Sequence, residues 1–575
     1  MRNTLFFLYI LLFIGSGSAY SQNTGKGKPD YDLVFETRPE VYFTFTVQEK
    51  SQVNDLSRII SIDRLDGFKV MAYANPGEFR RFLDYGLNYE ILPAPSSLVV
   101  AKTIDIQDIK SLLAWDSYPS YPAYESMMAQ YQADYPNLCQ VQTIGTLASG
   151  RKLLTAKISA NVDSAMGKPQ FLWVSSIHGD ELTGYVLMLR MIDYLLENYG
   201  VKPDITNLLN KAEIYINPLM NPDGTYFGGN SSVNQATRYN ANGIDLNRNF
   251  PDPQAGQHPD GNAWQPETVM MMDFAESHQF VMGGNFHGGA EVVNYPWDTW
   301  QMLHADDDWW QFVSREYADT VHLHGPAGYM TDLDNGITNG YAWYQITGGR
   351  QDYMNYFHRC REATFEISVP KLVAGSALPG FWNSSYRSII NYMEQVTFGI
   401  QGIVTDSVTG APLRAKVFIA GHDHDSSHVW SALPLGNYSR LLHAGNYNLS
   451  FTASGYYPKT VQAVNVTNLN TTVLDVKLAP LPAGIAGEEL SDYLALAAYP
   501  NPAADRVILK SGRPSREDLI LEIYNAQSVL LFRKKIKGDD LFNGHPLVLD
   551  KFAKGLLIIR VSGSRNSETI RLLYQ

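Results

Sequence analysis

Cysteine is almost absent: Cys139 and Cys360 are the only two in 575 residues. Two cysteines cannot build a disulfide scaffold or a thiolate cluster, so any metal site must be made of histidines and carboxylates. Whether these two pair or stay free is left open by their spacing. A basic excess is also lacking. Lys and Arg number 45 against 58 Asp and Glu, a formal charge of −13, the opposite of the field a nucleic-acid binder needs. No second run approaches the apolar stretch Leu5–Ile14, and that run is about half of the ~20 residues a membrane-spanning helix requires. Charged residues are sparse at 18% while apolar ones reach 45%, which excludes a mainly disordered chain. What the chain has in quantity is aromatics, 12% with 35 Tyr, suited to substrate clefts and β-rich modules.

At ~150 residues per domain the length allows three to four domains. Arg2, the apolar run and the small residues to Ser21 read as a secretory signal over residues 1–21, implying export. Residues 30–110 show alternating strands (Val41, Phe43, Phe45) and a helix over Pro76 to Tyr85. They form either a small N-terminal α/β module or an inhibitory pro-segment. From 118 to 397, strands and long helices alternate, including the apolar strand Gln170 to Ile177 and the amphipathic helix Gly184 to Asn198. That pattern predicts an α/β fold, a mixed β-sheet with helices on both faces. In such sheets chemistry gathers beyond the carboxyl ends of strands. Residues 399–478 lose helical periodicity and read as a β-sandwich. A Pro/Ala/Gly linker follows at 479–490, then a second all-β domain at 491–575.

His178 and Glu181 stand three apart where an apolar strand ends, and His287 ends another. Two imidazoles and a carboxylate make a His₂Glu set that leaves a fourth position open for water, as catalytic zinc requires. Asn221-Pro222-Asp223-Gly224 forms a tight turn. Arg238 and Arg248 flank Asp245-Leu246-Asn247, and Glu366 sits inside the β-type run Ala363–Ser368, where a carboxylate is costly without a task.

These segments, in this order and with Tyr344 22 residues before Glu366, resemble the M14 family of zinc carboxypeptidases, and more closely its regulatory (carboxypeptidase N/E) branch. The resemblance implies one Zn²⁺ per catalytic domain, held by His178, Glu181 and His287. It implies Glu366 as general base, Arg238 facing the oxyanion, and Asp245 orienting a zinc-bound histidine. Asn247 and Arg248 would bind the substrate's terminal carboxylate, and Tyr344 would close over the bound residue. Gln351, seven beyond Tyr344, and Asp298, eleven beyond His287, match the positions that line the branch's specificity pocket. A buried carboxylate there selects Lys or Arg, because an apolar substrate leaves it unpaired. The chain departs from the branch at Asp180, where Asn is usual, and at Arg350, where Met is usual. An inward-facing Arg350 would repel a cationic substrate.

The first sandwich resembles the transthyretin-like domain of that branch. Its cluster His422, Asp423, His424, Asp425 and His428 reads as a solvated loop, with metal binding as the alternative. The last domain, from Ala498-Tyr499-Pro500-Asn501-Pro502 to Lys554-Gly555-Leu556, resembles a type IX secretion sorting domain. The combined expectation is a secreted or outer-membrane-attached metallocarboxypeptidase acting on peptide and protein C-termini. Its C-terminal domain would engage the secretion machinery, with no nucleic-acid partner and no transmembrane span. The alternatives are an inactive peptide-binding relative and a carboxypeptidase acting on cell-wall peptides.

Overall fold

The computed structural model describes residues 30–106, 114–164, 167–481 and 494–574, the last with gaps at 495, 500, 502, 516, 526–528 and 564–566. The expected signal at 1–21, most of the expected 479–490 linker, and Pro500 and Pro502 of the motif read as a sorting signature lie outside the described residues.

The catalytic domain is built on an eight-stranded mixed sheet in the order Ile337–Asn339, Glu291–Tyr295, Arg361–Ile367, Phe280–His287, Gln170–Ser175, Glu213–Asn217, Lys152–Ile158, Cys139–Thr146. The four strands from Arg361–Ile367 to Glu213–Asn217 run parallel. They are buried along nearly their whole length; Gln170–Ser175 is accordingly a near-continuous apolar run, while Arg361–Ile367 buries charged residues as well. Helices Thr183–Asn198, Asp307–His324 and Leu378–Glu394 share one core with one sheet face, around Trp173, Phe286, Phe365 and Tyr392. Helices Pro266–Glu276 and Arg350–His358 pack on the other, around Leu172, Val174 and Met354. Helix Thr183–Asn198 starts within one residue of its expected position. Cys139 and Cys360 are both buried and free.

Residues 41–92 form a four-stranded antiparallel sheet, Ser61–Asp66, Lys69–Ala74, Val41–Thr46, Tyr89–Leu92. Val41, Phe43 and Phe45 point into a core with Phe79 and Phe82 of helix Pro76–Leu83. The alternate residues, Glu40, Tyr42 and Thr44, therefore face the other way, as the two-residue period of a strand demands. That second face lies on the catalytic domain.

Behind the catalytic domain are two β-sandwiches with separate cores, around Val404, Val417 and Phe451 and around Leu509, Leu521 and Ile559. The segment read as a solvated loop is a loop in which His424 and Asp425 stay solvated and pair with each other, while His422 and Asp423 join an interdomain clasp. Asp306 of the catalytic domain accepts from Arg361 at 2.7 and 2.9 Å, from both Nη atoms of Arg440 at 2.8 Å, and from His422 at 2.8 Å. Asp423 takes a further Arg440 bond at 2.5 Å. Two guanidiniums converging on these carboxylates supply the charge a cation would, so the cluster is satisfied without metal. Burial opposes ionisation of Asp306, but the two arginines outweigh it and hold its carboxyl well below the usual range. Asp306→Ala would strand the buried Arg361 and leave Arg440 with Asp423 alone, and a loss of about 3–5 kcal/mol is expected. Chemical unfolding of the full chain near pH 7 measures it, well above the pH at which Asp306 itself protonates. An unchanged midpoint would mean the clasp contributes nothing.

Candidate metal and substrate site

Three neighbouring parallel strands end side by side. The register pairs His287 with Glu366 across strands Phe280–His287 and Arg361–Ile367. Strand Gln170–Ser175, the next neighbour, runs straight into the turn that carries His178 and Glu181. This turn is pressed against a second one. A Cβ on Gly179 would lie 2.5 Å from backbone atoms of Gly224 and Thr225, so glycine alone fits. Asn221 bridges the two, with its amide directed at the carbonyls of Ile177 and Arg238.

His178 Nδ1 lies 3.0 Å from Glu181 Oε1, and His287 Nδ1 lies 2.9 Å from Glu181 Oε2. The two Nδ1 atoms are 3.1 Å apart. Two nitrogens on a tetrahedral zinc, each bonded at ~2.0–2.1 Å, are separated by about 3.3–3.4 Å. The donor set therefore converges as zinc requires, and each Nε2 is held from behind, His178 by Asp245 at 3.0 Å and His287 by the Asn285 amide at 2.9 Å. Such outer partners fix ring orientation, and Asp245, an acceptor, also keeps the His178 proton on Nε2 and leaves Nδ1 to ligate. Burial pushes His287 down to about 4, so its imidazole is neutral and free to ligate near pH 7. Burial works against ionised Glu181 and Asp245 too. Glu181 is nevertheless held well down by His178, Lys371 and His287, and Asp245 by Arg238 and His178.

Arg238 donates to Glu181 Oε1 at 3.0 Å and Asp245 Oδ2 at 3.3 Å. Glu366 is pushed up to about 8, first by burial and then by the charge of Glu181, and its Oε2 has no partner. Arg248 is buried, donates one Nη1 bond to the Asn247 carbonyl, and leaves Nε and Nη2 unpartnered. Asn247 Oδ1 accepts from the Arg350 backbone at 2.9 Å. Tyr344 is buried, and Gln351 presents both amide atoms without partners.

Asp298 is buried beside this group and accepts from Asn294 at 3.0 Å. A Cβ on Gly340 would come within 1.8 Å of its Oδ1, so the carboxylate occupies the hollow a glycine leaves. Asp352 receives the Asp298 and Thr299 backbone amides, and Asp252 receives the Thr299 hydroxyl. Arg350 does not face inward: it pairs at 2.7 Å with Glu362 on strand Arg361–Ile367, both fully buried.

Three groups at the site escaped sequence reasoning. Asn285 sits two residues before His287 on the same strand face, a spacing that could have marked it. Lys371 is 2.6 Å from Glu181 Oε1. The third group belongs to the N-terminal module. Ser61 accepts from Arg238 at 2.8 Å and donates a short bond to Asp245. The Ile62 carbonyl accepts from Tyr344 at 3.3 Å. Asp63 meets Lys371 at 2.6 Å. Tyr73 donates to Asp180 at 3.0 Å, and Glu40 accepts from the amides of Arg238 and Tyr239 at 3.0 Å. No local pattern reports contacts between residues this far apart in sequence.

Residues 124–388 match the zinc carboxypeptidase family, peptidase M14, and residues 399–479 match the carboxypeptidase regulatory-like domain. Mouse (Mus musculus) carboxypeptidase M is 33% identical over 353 residues, covering 59% of this chain and 79% of that protein. The chain belongs to the zinc carboxypeptidase family. Its zinc carboxypeptidase relatives include the carboxypeptidase N catalytic chain of Rattus norvegicus, 33% identical over 60% of this chain and 82% of that one. Carboxypeptidase D of Drosophila melanogaster is 35% identical over 66% of this chain and 28% of that protein. The chain thus spans about a third or less of the carboxypeptidase D relatives it matches. Solved carboxypeptidase A from Helicoverpa armigera superposes with a TM-score of 0.48 at 18% identity, covering 62% of this chain and 97% of that one. Among the described residues no helix is long and apolar enough to cross a membrane.

Proposed function

We propose that this zinc carboxypeptidase family member is exported, hydrolyses the C-terminal peptide bond of peptides and proteins, and releases Lys or Arg. The observation that carries the reading is Arg248, whose Nε and Nη2 are buried and unpartnered, near the buried carboxylate of Asp298. A guanidinium fork matches a terminal carboxylate, and a buried aspartate matches a cationic side chain. Zinc held by His178, Glu181 and His287 would supply Lewis acidity and a water acidic enough to ionise near neutral pH. Glu366, whose Oε2 has no partner, would take a proton from that water and return it to the leaving amine. Arg238 would stabilise negative charge developing on the carbonyl oxygen. Asn247 and Arg248 would anchor the substrate's end, while Tyr344 would donate a hydrogen bond over it.

The N-terminal module would keep the chain latent. Ser61, Ile62 and Asp63 engage Arg238, Tyr344 and Lys371, so no substrate reaches these groups until the module yields. The signal at 1–21 would direct export, and the last sandwich would serve as a type IX sorting address. Both rest on the sequence motifs alone.

The test uses the full chain loaded with zinc and peptides ending in Lys, Arg, Phe or Glu, with and without chelator. Turnover of Lys and Arg ends, abolished by chelator and raised by Asp63→Arg, is expected. Binding without turnover would favour the inactive peptide-binding reading, and preference for Phe would remove Asp298 as selector.

Selectivity should also depend on pH. Burial raises Asp298 to about 6, with Asp252 adding to the rise and Asn294 and Arg248 opposing it; Asp352 also lies against it. Its carboxyl is neutral below that value and charged above. The ratio of kcat/KM for Arg-ending over Leu-ending peptides should therefore climb as pH rises through about 6. A ratio flat from pH 5 to 7.5 would contradict the assignment.

A further inference from the structure

Asp63 is the extra residue of a β-bulge: Ile62 pairs with Ala72 and Arg64 with Met71, leaving Asp63 without a cross-strand partner. A bulge re-aims a side chain, and here it turns Asp63 onto Lys371. Lys371 is 2% exposed and spends its three donors on Asp63 Oδ1 at 2.6 Å, Glu181 Oε1 at 2.6 Å and the Gly288 carbonyl at 3.0 Å. Tyr42 of the module holds the other Asp63 oxygen at 2.9 Å.

Displacing the module removes Asp63 and leaves one ammonium donor without an acceptor. Glu181 does not neutralise Lys371 in the loaded enzyme, because its charge is shared with the metal. Lys371 also lies apart from the groups that hold the substrate's end. Arg248, Asp298 and Gln351 cluster on helix Arg350–His358 and its neighbours, whereas Lys371 is ringed by Asp63, Glu181, Asp180, Gly288 and Tyr73. A peptide anchored at Arg248 must run past the metal ligands toward Lys371, along the track now filled by Ser61–Asp63.

We propose that Lys371 is a specificity-determining residue on the acyl side of the scissile bond, and that the enzyme favours substrates with Asp or Glu within two residues upstream of that bond. Asp63 is the chain's own occupant of that subsite. The inference rests on the carboxypeptidase reading and deepens it from the leaving residue to the residues retained.

The experiment uses the full-length, zinc-loaded Asp63→Ala protein, which loses the module's ion pair with Lys371 while Ser61 and Ile62 keep their bonds. Binding of an Arg-ending peptide by this protein but not by the parent shows the track opened, and binding by neither overturns Asp63 as the occupant that closes it. Peptides of constant Arg terminus carry Glu, Ala or Lys at the first or second position upstream. A hydrogen bond to a charged partner at this depth should favour Glu over Ala in kcat/KM by about tenfold or more, with Lys the poorest. Lys371→Met should collapse the Glu-to-Ala ratio toward one, and Lys371→Glu should invert it toward Lys. Zinc content of each variant reports whether the neighbouring Glu181 still holds its metal. Calorimetric binding of the same peptides gives the ratio even for a variant that cleaves slowly. Equal handling of Glu, Ala and Lys by an active protein overturns this inference alone. Absence of turnover with a Lys371-dependent preference in binding overturns the hydrolytic reading and leaves the subsite standing.

Discussion

Glu366→Gln is expected to lower kcat by about 10²–10⁴-fold while leaving zinc content and peptide binding close to those of the parent. Glutamine keeps the shape and one acceptor, so strand Arg361–Ile367 and its pairing with His287 should survive. What it loses is a site that can take a proton and give it back. Glu366 meets both demands: its Oε2 is unpartnered, and burial together with Glu181 raises its affinity for a proton. Metal analysis, peptide affinity and steady-state rates on one preparation separate this from damage to the zinc site. A variant retaining a tenth of kcat would show that the proton travels another way.

Asp298→Asn should reduce kcat/KM for Lys- and Arg-ending peptides by about 10²–10³-fold, since removing one member of a buried charge pair strands the other. Peptides ending in Leu should be affected far less. Asparagine is isosteric, so the hollow at Gly340 still accepts it and the Asp352 bonds to the Asp298 and Thr299 amides remain. The loss would therefore be one of charge. Equal losses on Arg and Leu ends would point to a collapsed pocket.

The metal set was legible because its signal is local. His178 and Glu181 share a turn, His287 closes a strand, and scarce cysteine removes competing donor sets. The sheet with helices on both faces was legible for the same reason, since strand Gln170–Ser175 is a short apolar run and helix Thr183–Asn198 is amphipathic. Arg350 was misleading in isolation, because its direction depends on Glu362 in the next strand. The histidine-rich segment near 422 looked solvated because its partner, Asp306, is more than a hundred residues away. The blocking face of the N-terminal module was invisible for a further reason. Ser61 and Tyr73 are ordinary alternating strand residues, Asp63 sits at a bulge that no local pattern announces, and only docking shows what they touch.

The clasp at Asp306 also bears on the order in which the molecule can be made. A chain growing from its N-terminus exposes Asp306 and Arg361 well before Arg440 exists. Asp306 pairs with Arg361 alone until the first sandwich has been synthesised as far as that residue. The N-terminal module is complete by then. When the cleft takes its final shape, Ser61 to Asp63 are already present to dock against Arg238, Tyr344 and Lys371.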